Sequence, residues 1–353
     1  MFNQVIKIDK KNVGLNNKPY VIAELSGNHG HSFEQVMQMI LTAKECGADA
    51  IKLQTLRPEG ITIDCNKPEF LIQDKSNPWY GNTLYELYSK SYLPREWYAD
   101  IFSYCKKLAI TCFSTPFDLQ SIDFLEEFNV PCYKIGSSEN IDLPLIKKAA
   151  NTGKPLIISL GLASLSEIED VVNTVKACGC KDLILMICTC CYPAPSNQIN
   201  LKTIPHLRDM FGVNVGFSDH TLGIGAATAS VALGAVAIEK HFMLEKSVNA
   251  LDSCFSANEH EFKSLVKEID NAWDALGTVF YGVKECEIPY LANRRSIYVI
   301  KDIQAGELIT SENIQSVRPG WGLSPKHFDA VIGKSVNCDI QRGEPVLWEK
   351  INN

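Results

Sequence analysis

The apolar residues of this chain fall into two alternating patterns. Short β-branched and aliphatic runs predict strands at 20–24, 50–54, 110–113, 132–135, 156–159, 183–188, 213–217 and 235–240. These runs are continuous rather than alternating, as in strands buried on both faces. Between them, apolar residues recur at helical spacing. In 32–46 the stripe is Phe33, Val36, Met37, Ile40, Leu41 and Ala43, with Ser32 as N-cap and Gly47 as stop. Further helices are predicted at 97–108, 118–128, 143–151, 164–178, 201–211 and 224–233. Eight β-then-α units predict a parallel sheet closed into a (β/α)8 TIM barrel, with an open doubly wound sheet as the alternative.

Two regions break the rhythm. Residues 55–92 are too long for an ordinary βα loop and hold Pro58, Pro68, Pro78, Trp79, Tyr80, Tyr85 and Tyr88. An insertion on that side of a barrel is expected to shape the mouth of the active site. A helix at 258–276 ends the barrel, and the period is then lost around Gly277, Gly282 and Pro289. The remaining residues read as short strands and turns. The expected organisation is a barrel over 1–280, a linker over 281–293 and a small domain over 294–353.

Composition narrows the partners. A net charge of −7 is a poor footprint for nucleic acid. No apolar window approaches the roughly 20 residues of a membrane span, and the first residues lack the apolar core of a secretory signal. Thirteen cysteines are therefore expected as free thiols in a reducing cytoplasm. The group Cys178, Cys180, Cys188, Cys190 and Cys191 lacks zinc spacing and reads as plain buried thiols. Neither GxGxxG nor GxxxxGK[ST] occurs.

Barrel chemistry sits at the C-terminal ends of the strands. Here those ends carry Glu24, Ser26, Asn28 and His29; Lys52 and Gln54; Ser114, Thr115 and Phe117; Lys134, Ser137 and Glu139; Ser159; Thr189 and Tyr192; Ser218, Asp219 and His220; and Glu239, Lys240 and His241. One polar strand end is an ordinary capped loop, but a polar residue at every end points to a site. Lys52 and Lys134 with Ser137, Ser159 and Ser218 suit a phosphate cradle, and either lysine could instead form a Schiff base. His220 and His241 end neighbouring strands near Glu24, an arrangement open to a divalent-metal site or to structural histidines.

The strings IAELSGNHG (22–30), GADAIKLQT (47–55), FSTPF (113–117), YKIGSSE (133–139), GFSDHTLG (216–223) and EKHFML (239–244) resemble the sialic acid (nonulosonic acid) synthase family. VRPGWGLSP (317–325) looks like its antifreeze-like (SAF) terminal module. The resemblance implies condensation of phosphoenolpyruvate with an N-acylated amino sugar, releasing phosphate. It also implies a divalent metal (Mn²⁺ or Mg²⁺, with Co²⁺ a third option) and a domain-swapped homodimer. His220 and His241 would hold the metal, and Glu24 would be the acid/base group. Lys52, Thr115, Lys134, Ser137, Ser159 and Ser218 would bind phosphoenolpyruvate. Gln54, Phe117, Glu139, Tyr192 and Asp252 would line the sugar site, with Arg318 reaching in from the terminal domain of the other subunit.

Within the family, Asp252-Ser253-Cys254-Phe255-Ser256, TLYELY (83–88) and Pro94-x-Glu96-Trp97 resemble the pseudaminic acid synthase branch, which takes a 2,4-diacetamido-2,4,6-trideoxy hexose. Legionaminic or N-acetylneuraminic acid synthesis is the nearer alternative. A Schiff-base aldolase, or a non-enzymatic binding module, is the more distant one.

Overall fold

The structure, a computed structural model, describes residues 1–75, 79–244 and 250–352; Pro78 of the insertion lies outside them. The chain separates into two compact units, Met1–Gly277 and Thr278–Asn353.

The first unit opens with a hairpin, β1 (Val5–Ile8) and β2 (Lys11–Gly14), in antiparallel register. Eight parallel strands follow and close into a barrel: β3 (Tyr20–Glu24), β4 (Ala50–Thr55), β5 (Thr111–Pro116), β6 (Tyr133–Ile135), β7 (Leu156–Ser159), β8 (Leu183–Cys188), β9 (Asn214–Asp219) and β10 (Ala237–His241). Closure is made by β10 pairing with β3, His241 opposite Glu24. The open-sheet alternative is thereby excluded.

Each strand sends alternate residues inward and outward. Outward residues such as Val21, Ile51, Ile135 and Leu185 join the apolar faces of the helices in one continuous core. Inward residues near the strand starts, among them Ala50, Phe113, Cys132, Ile157 and Ala237, form a second core with Ile6, Ile8 and Val13 of the hairpin. The hairpin therefore plugs the end of the barrel where the strands begin. The periodicity reading holds no element there, because a four-residue strand with one buried side chain in two gives too little signal.

The helices start and stop for local reasons. Ser32 caps Phe33–Glu45 by accepting from the Gln35 N–H (3.2 Å). Gly47 ends the segment at φ +95°, a conformation strained for other residues. In the insertion a helix, Leu84–Ser91, is held by a capping box between Thr83 and Glu86. Four strands end later than their apolar runs suggest, β4 and β10 by a single residue, at Thr55 and His241. β5 runs on to Pro116 rather than Phe113, and β9 to Asp219 rather than Phe217. Of these added residues Thr115 faces the barrel interior and Lys52, whereas Asp219 faces outward to Lys240. None of the described helices is long and apolar enough to cross a membrane.

The second unit has its own core, built from Ile297, Val299, Ile303, Ile309, Ile314, Val331, Val336, Ile340, Val346 and Ile351. It contains the antiparallel pair β11 (Ser296–Val299) and β12 (Ile314–Val317), preceded by an exposed 3-10 run, Glu285–Asn293.

One buried ion pair spans the strands that deliver the two histidines. Lys240 points out of the barrel and donates to Asp219 Oδ2 (2.8 Å) and to the Thr221 carbonyl (2.7 Å). Asp219 Oδ1 in turn accepts from the Thr221 N–H (2.9 Å). Lys240→Met should destabilise the barrel by about 3–5 kcal/mol, because it strands a buried carboxylate. Lys240→Met/Asp219→Leu should recover most of that loss, measured as urea or thermal midpoints.

Candidate active site

The C-terminal ends of the barrel strands surround a cleft of about 300 Å³. Its floor is a cluster of four buried charges. Glu24, at the end of β3, accepts from the Ser26 N–H through Oε1 (2.8 Å) and pairs with Lys52 of β4 through Oε2. Lys52 also donates to Thr115 Oγ1 (3.1 Å). Glu239 of β10 accepts from Lys134 Nζ (3.3 Å) and Ser218 Oγ (3.1 Å) through Oε1, which lies 3.7 Å from Lys52 Nζ. Its Oε2 is buried without a hydrogen-bond partner, as is Ser159 Oγ.

Strand parity places this cluster. On β10 Glu239 and His241 face inward while Lys240 faces out to Asp219, and on β4 Lys52 and Gln54 share the inner face. The tight β9–β10 seam depends on Gly216, where a Cβ would lie 2.6 Å from the Ala237 carbonyl oxygen.

Burial and mutual charge set the ionisation. Burial pushes the Glu24 carboxyl above its ordinary range, against the pull of Lys52. Burial acts the same way on Glu239, but Lys134 and Lys52 outweigh it and hold that carboxyl low. Burial weakens the Lys134 ammonium, whereas in Lys52 the two carboxylates outweigh burial and keep the proton on. The environments thus drive the two carboxyl groups in opposite directions.

His220 and His241 stand together, ring centroids 5.3 Å apart, with Phe255 at 4.8 Å from His241 and Tyr192 at 4.6 Å from His220. His220 Nδ1 donates to the Thr189 carbonyl (3.0 Å), which leaves the Nε2 lone pair free. His241 Nδ1 is buried and unpartnered, with Asp252 Oδ2 at 3.8 Å. Burial lowers both imidazoles, and His220 lowers His241 further, so both rings are neutral. Two neutral imidazoles, one with an orphaned buried nitrogen, fit a divalent ion of borderline softness. Among the described residues no group of three or more His, Cys, Asp or Glu is placed to hold an ion, so the other positions would fall to water or substrate.

Gln54, Phe117, Ser137, Glu139, Ser159, Tyr192 and Asp252 line the same cleft. The insertion contributes Leu56, Trp79, Leu87, Tyr88 and Ser91 to its wall, as its length suggested. Glu24 lies beneath the surface, behind Lys52. Arg318 follows β12 and belongs to the second unit.

The sequence reading gave Glu239 no role, although its shared parity with His241 was available as a signal. Cys188 is expected from the sequence as a plain buried thiol. The structure corrects this: Cys188 lines the cleft, and its pKa falls to about 7 because Cys190, Ser137 and Lys134 favour the thiolate. Only the tertiary fold brings those groups to it.

A model of the NeuB family matches residues 39–281, and one of the SAF domain matches 294–352. The pseudaminic acid synthase of Campylobacter jejuni (strain 81-176) is 40% identical over 333 residues, 94% of this chain and 96% of that one. The N,N'-diacetyllegionaminic acid synthase of Legionella pneumophila is 35% identical over 337 residues, 94% of each. The crystal structure of an N-acetylneuraminic acid (sialic acid) synthetase from Leptospira borgpetersenii, in complex with citrate, superposes with a TM-score of 0.72 at 28% identity, covering 83% of this chain and 97% of that one. Fold and site together define a TIM-barrel enzyme with a separate small C-terminal domain. The chain belongs to the NeuB family and carries a SAF domain at its C-terminal end.

Glu139 offers a direct check of the site's dielectric. Burial raises its carboxyl from the usual 4.5 to about 7. A folded pKa above the unfolded one contributes stability below the unfolded value and loses it as pH rises through the folded value. The gain from Glu139→Gln should therefore grow between pH 5 and pH 8, by up to about 3 kcal/mol, in urea midpoints against wild type.

Proposed function

We propose that this chain condenses phosphoenolpyruvate with a 2,4-diacetamido-2,4,6-trideoxy hexose, giving pseudaminic acid and phosphate. The observation that carries the reading is the likeness to a pseudaminic acid synthase across nearly the whole chain. The legionaminic acid synthase likeness is lower, which favours the pseudaminic branch.

The site residues supply the chemistry as follows. Lys52, Lys134 and the hydroxyls of Thr115, Ser137, Ser159 and Ser218 bind and orient phosphoenolpyruvate. Gln54, Phe117, Glu139, Tyr192 and Asp252 hold the sugar. A divalent ion, Mn²⁺, Mg²⁺ or Co²⁺, would be held by His220 and His241 and would supply Lewis-acid polarisation of the sugar aldehyde.

The C3 carbon of the enol forms a bond to the aldehyde carbon, and the aldehyde oxygen takes a proton from the Glu24–Lys52 pair. This leaves C2 cationic in character. Water adds there, and its proton goes to the open oxygen of Glu239. The C2–O bond to phosphate then breaks with its electron pair on the phosphate, and the C2 hydroxyl passes its proton to the departing phosphate as it becomes the ketone. Glu24 raised and Glu239 lowered are an acid and a base matched to these two transfers.

The test is phosphate release from phosphoenolpyruvate across a panel of amino sugars, with mass spectrometry of the product. Chelation should abolish release and a divalent ion restore it. Glu239→Gln should lower kcat by about 10² to 10⁴ while phosphoenolpyruvate still binds. Full activity after metal stripping removes the metal assignment. Borohydride trapping of a carbonyl substrate on a lysine would favour the aldolase reading.

The same reading places the enzyme in the cytoplasm as a domain-swapped homodimer. Support comes from a run of exposed apolar residues after the barrel: Val279 is 90% exposed, Tyr281 93% and Tyr290 65%. Such a run in a single chain wants a covering partner. Inactive His241→Ala and Arg318→Ala chains, mixed and allowed to exchange, should recover activity in part if Arg318 serves the other subunit. A dead mixture that contains mixed dimers, shown by mass spectrometry, refutes the swap.

A further inference from the structure

The turn at 250–256 carries three of the cleft's residues, Leu251, Asp252 and Phe255, and something outside the cleft holds it. Asp252 Oδ2 lies 3.8 Å from His241 Nδ1, and the Phe255 ring packs on His241 at 4.8 Å. The backbone joining them is tied by Ser256, whose hydroxyl donates to the Asp252 carbonyl (2.6 Å) and accepts from Asn28 Nδ2 (2.8 Å). Asn28 also donates to the Phe242 carbonyl (3.0 Å), next to His241, and its own carbonyl accepts from Gln35 Nε2 (2.8 Å). Both Asn28 and Ser256 are buried, and neither lines the cleft. Asn28 Oδ1 has no partner, so the amide is satisfied only through its donors.

We infer that Asn28 and Ser256 are positioning residues: a clamp from the end of the first barrel strand that sets Asp252 and Phe255 against His241 for the sugar half of the reaction. The phosphoenolpyruvate half rests on Lys52, Lys134, Ser137, Ser159 and Ser218, which belong to other strands. The clamp therefore separates the two substrates in a way that loss of overall stability does not. Ser256 also gains a reason to follow Asp252 at i+4: it closes the turn on one side and takes the amide on the other.

The inference rests on the synthase reading above, and the experiment keeps the two apart. Ser256→Ala, Asn28→Ala and the double variant are compared with wild type in steady-state kinetics, with calorimetric binding of phosphoenolpyruvate and thermal melts alongside. Ser256→Ala, the milder change, should raise the sugar KM about 10-fold or more while the phosphoenolpyruvate Kd stays within about threefold. Asn28→Ala should match or exceed it, and the double variant should be little worse than the worse single, because the two act through one contact. Should Asn28→Ala fail to fold, Ser256→Ala alone decides. An unchanged sugar KM in Ser256→Ala, equal losses toward both substrates, or multiplicative effects in the double variant overturns the clamp. No phosphate release by wild type with any sugar overturns the synthase reading instead.

Discussion

The structure of the site depends on the burial of two lysines and two glutamates on the floor of the barrel. Ions in such a place are tolerated only when paired and hydrogen-bonded. Lys52 and Lys134 stay inside because Glu24 and Glu239 stand between and beside them, with Thr115 and Ser218 completing their contacts. The cluster is neutral as a set, so the barrel closes around it without a stranded charge. The ammonium groups are already fixed in place, so an anion placed beside them would need little reorganisation of the protein.

The rest of the barrel serves that arrangement. Inward parity along β4, β6, β9 and β10 delivers Lys52, Lys134, Ser218 and Glu239 to one level, while outward parity sends Lys240 to Asp219. Below the cluster, the inward side chains and the N-terminal hairpin form a dry plug. That plug keeps water from reaching the charges from beneath and leaves the cleft as their open side.

The cleft has two characters. One side is ammonium and hydroxyl, suited to phosphate and carboxylate. The other combines neutral imidazoles, Phe255, Tyr192, Leu251 and the insertion's Leu87 and Tyr88, suited to a sugar with apolar substituents. Burial keeps both imidazoles neutral, and His220 lowers His241 further. The cleft thus divides into an ammonium-and-hydroxyl side and an imidazole-and-aromatic side, which meet at Glu239 and His241.

Much of this was legible in the chain. Continuous apolar runs at regular spacing marked the eight strands, because strands buried on both faces have no polar alternative. Polar residues at every strand end marked the mouth, and the ordered motifs marked the family. Tertiary structure decided what spacing along the chain does not encode. The pairing of Glu239 with Lys134 joins residues 105 apart in sequence, and that of Asn28 with Ser256 joins residues 228 apart. The hairpin plug was hidden because its strands are short and half exposed. The raised carboxyl of Glu139 and the lowered thiol of Cys188 follow from burial and neighbours, quantities that exist only once the barrel has closed. Local pattern determined which elements form and which side chains end them; closure of the barrel determined which of those side chains meet.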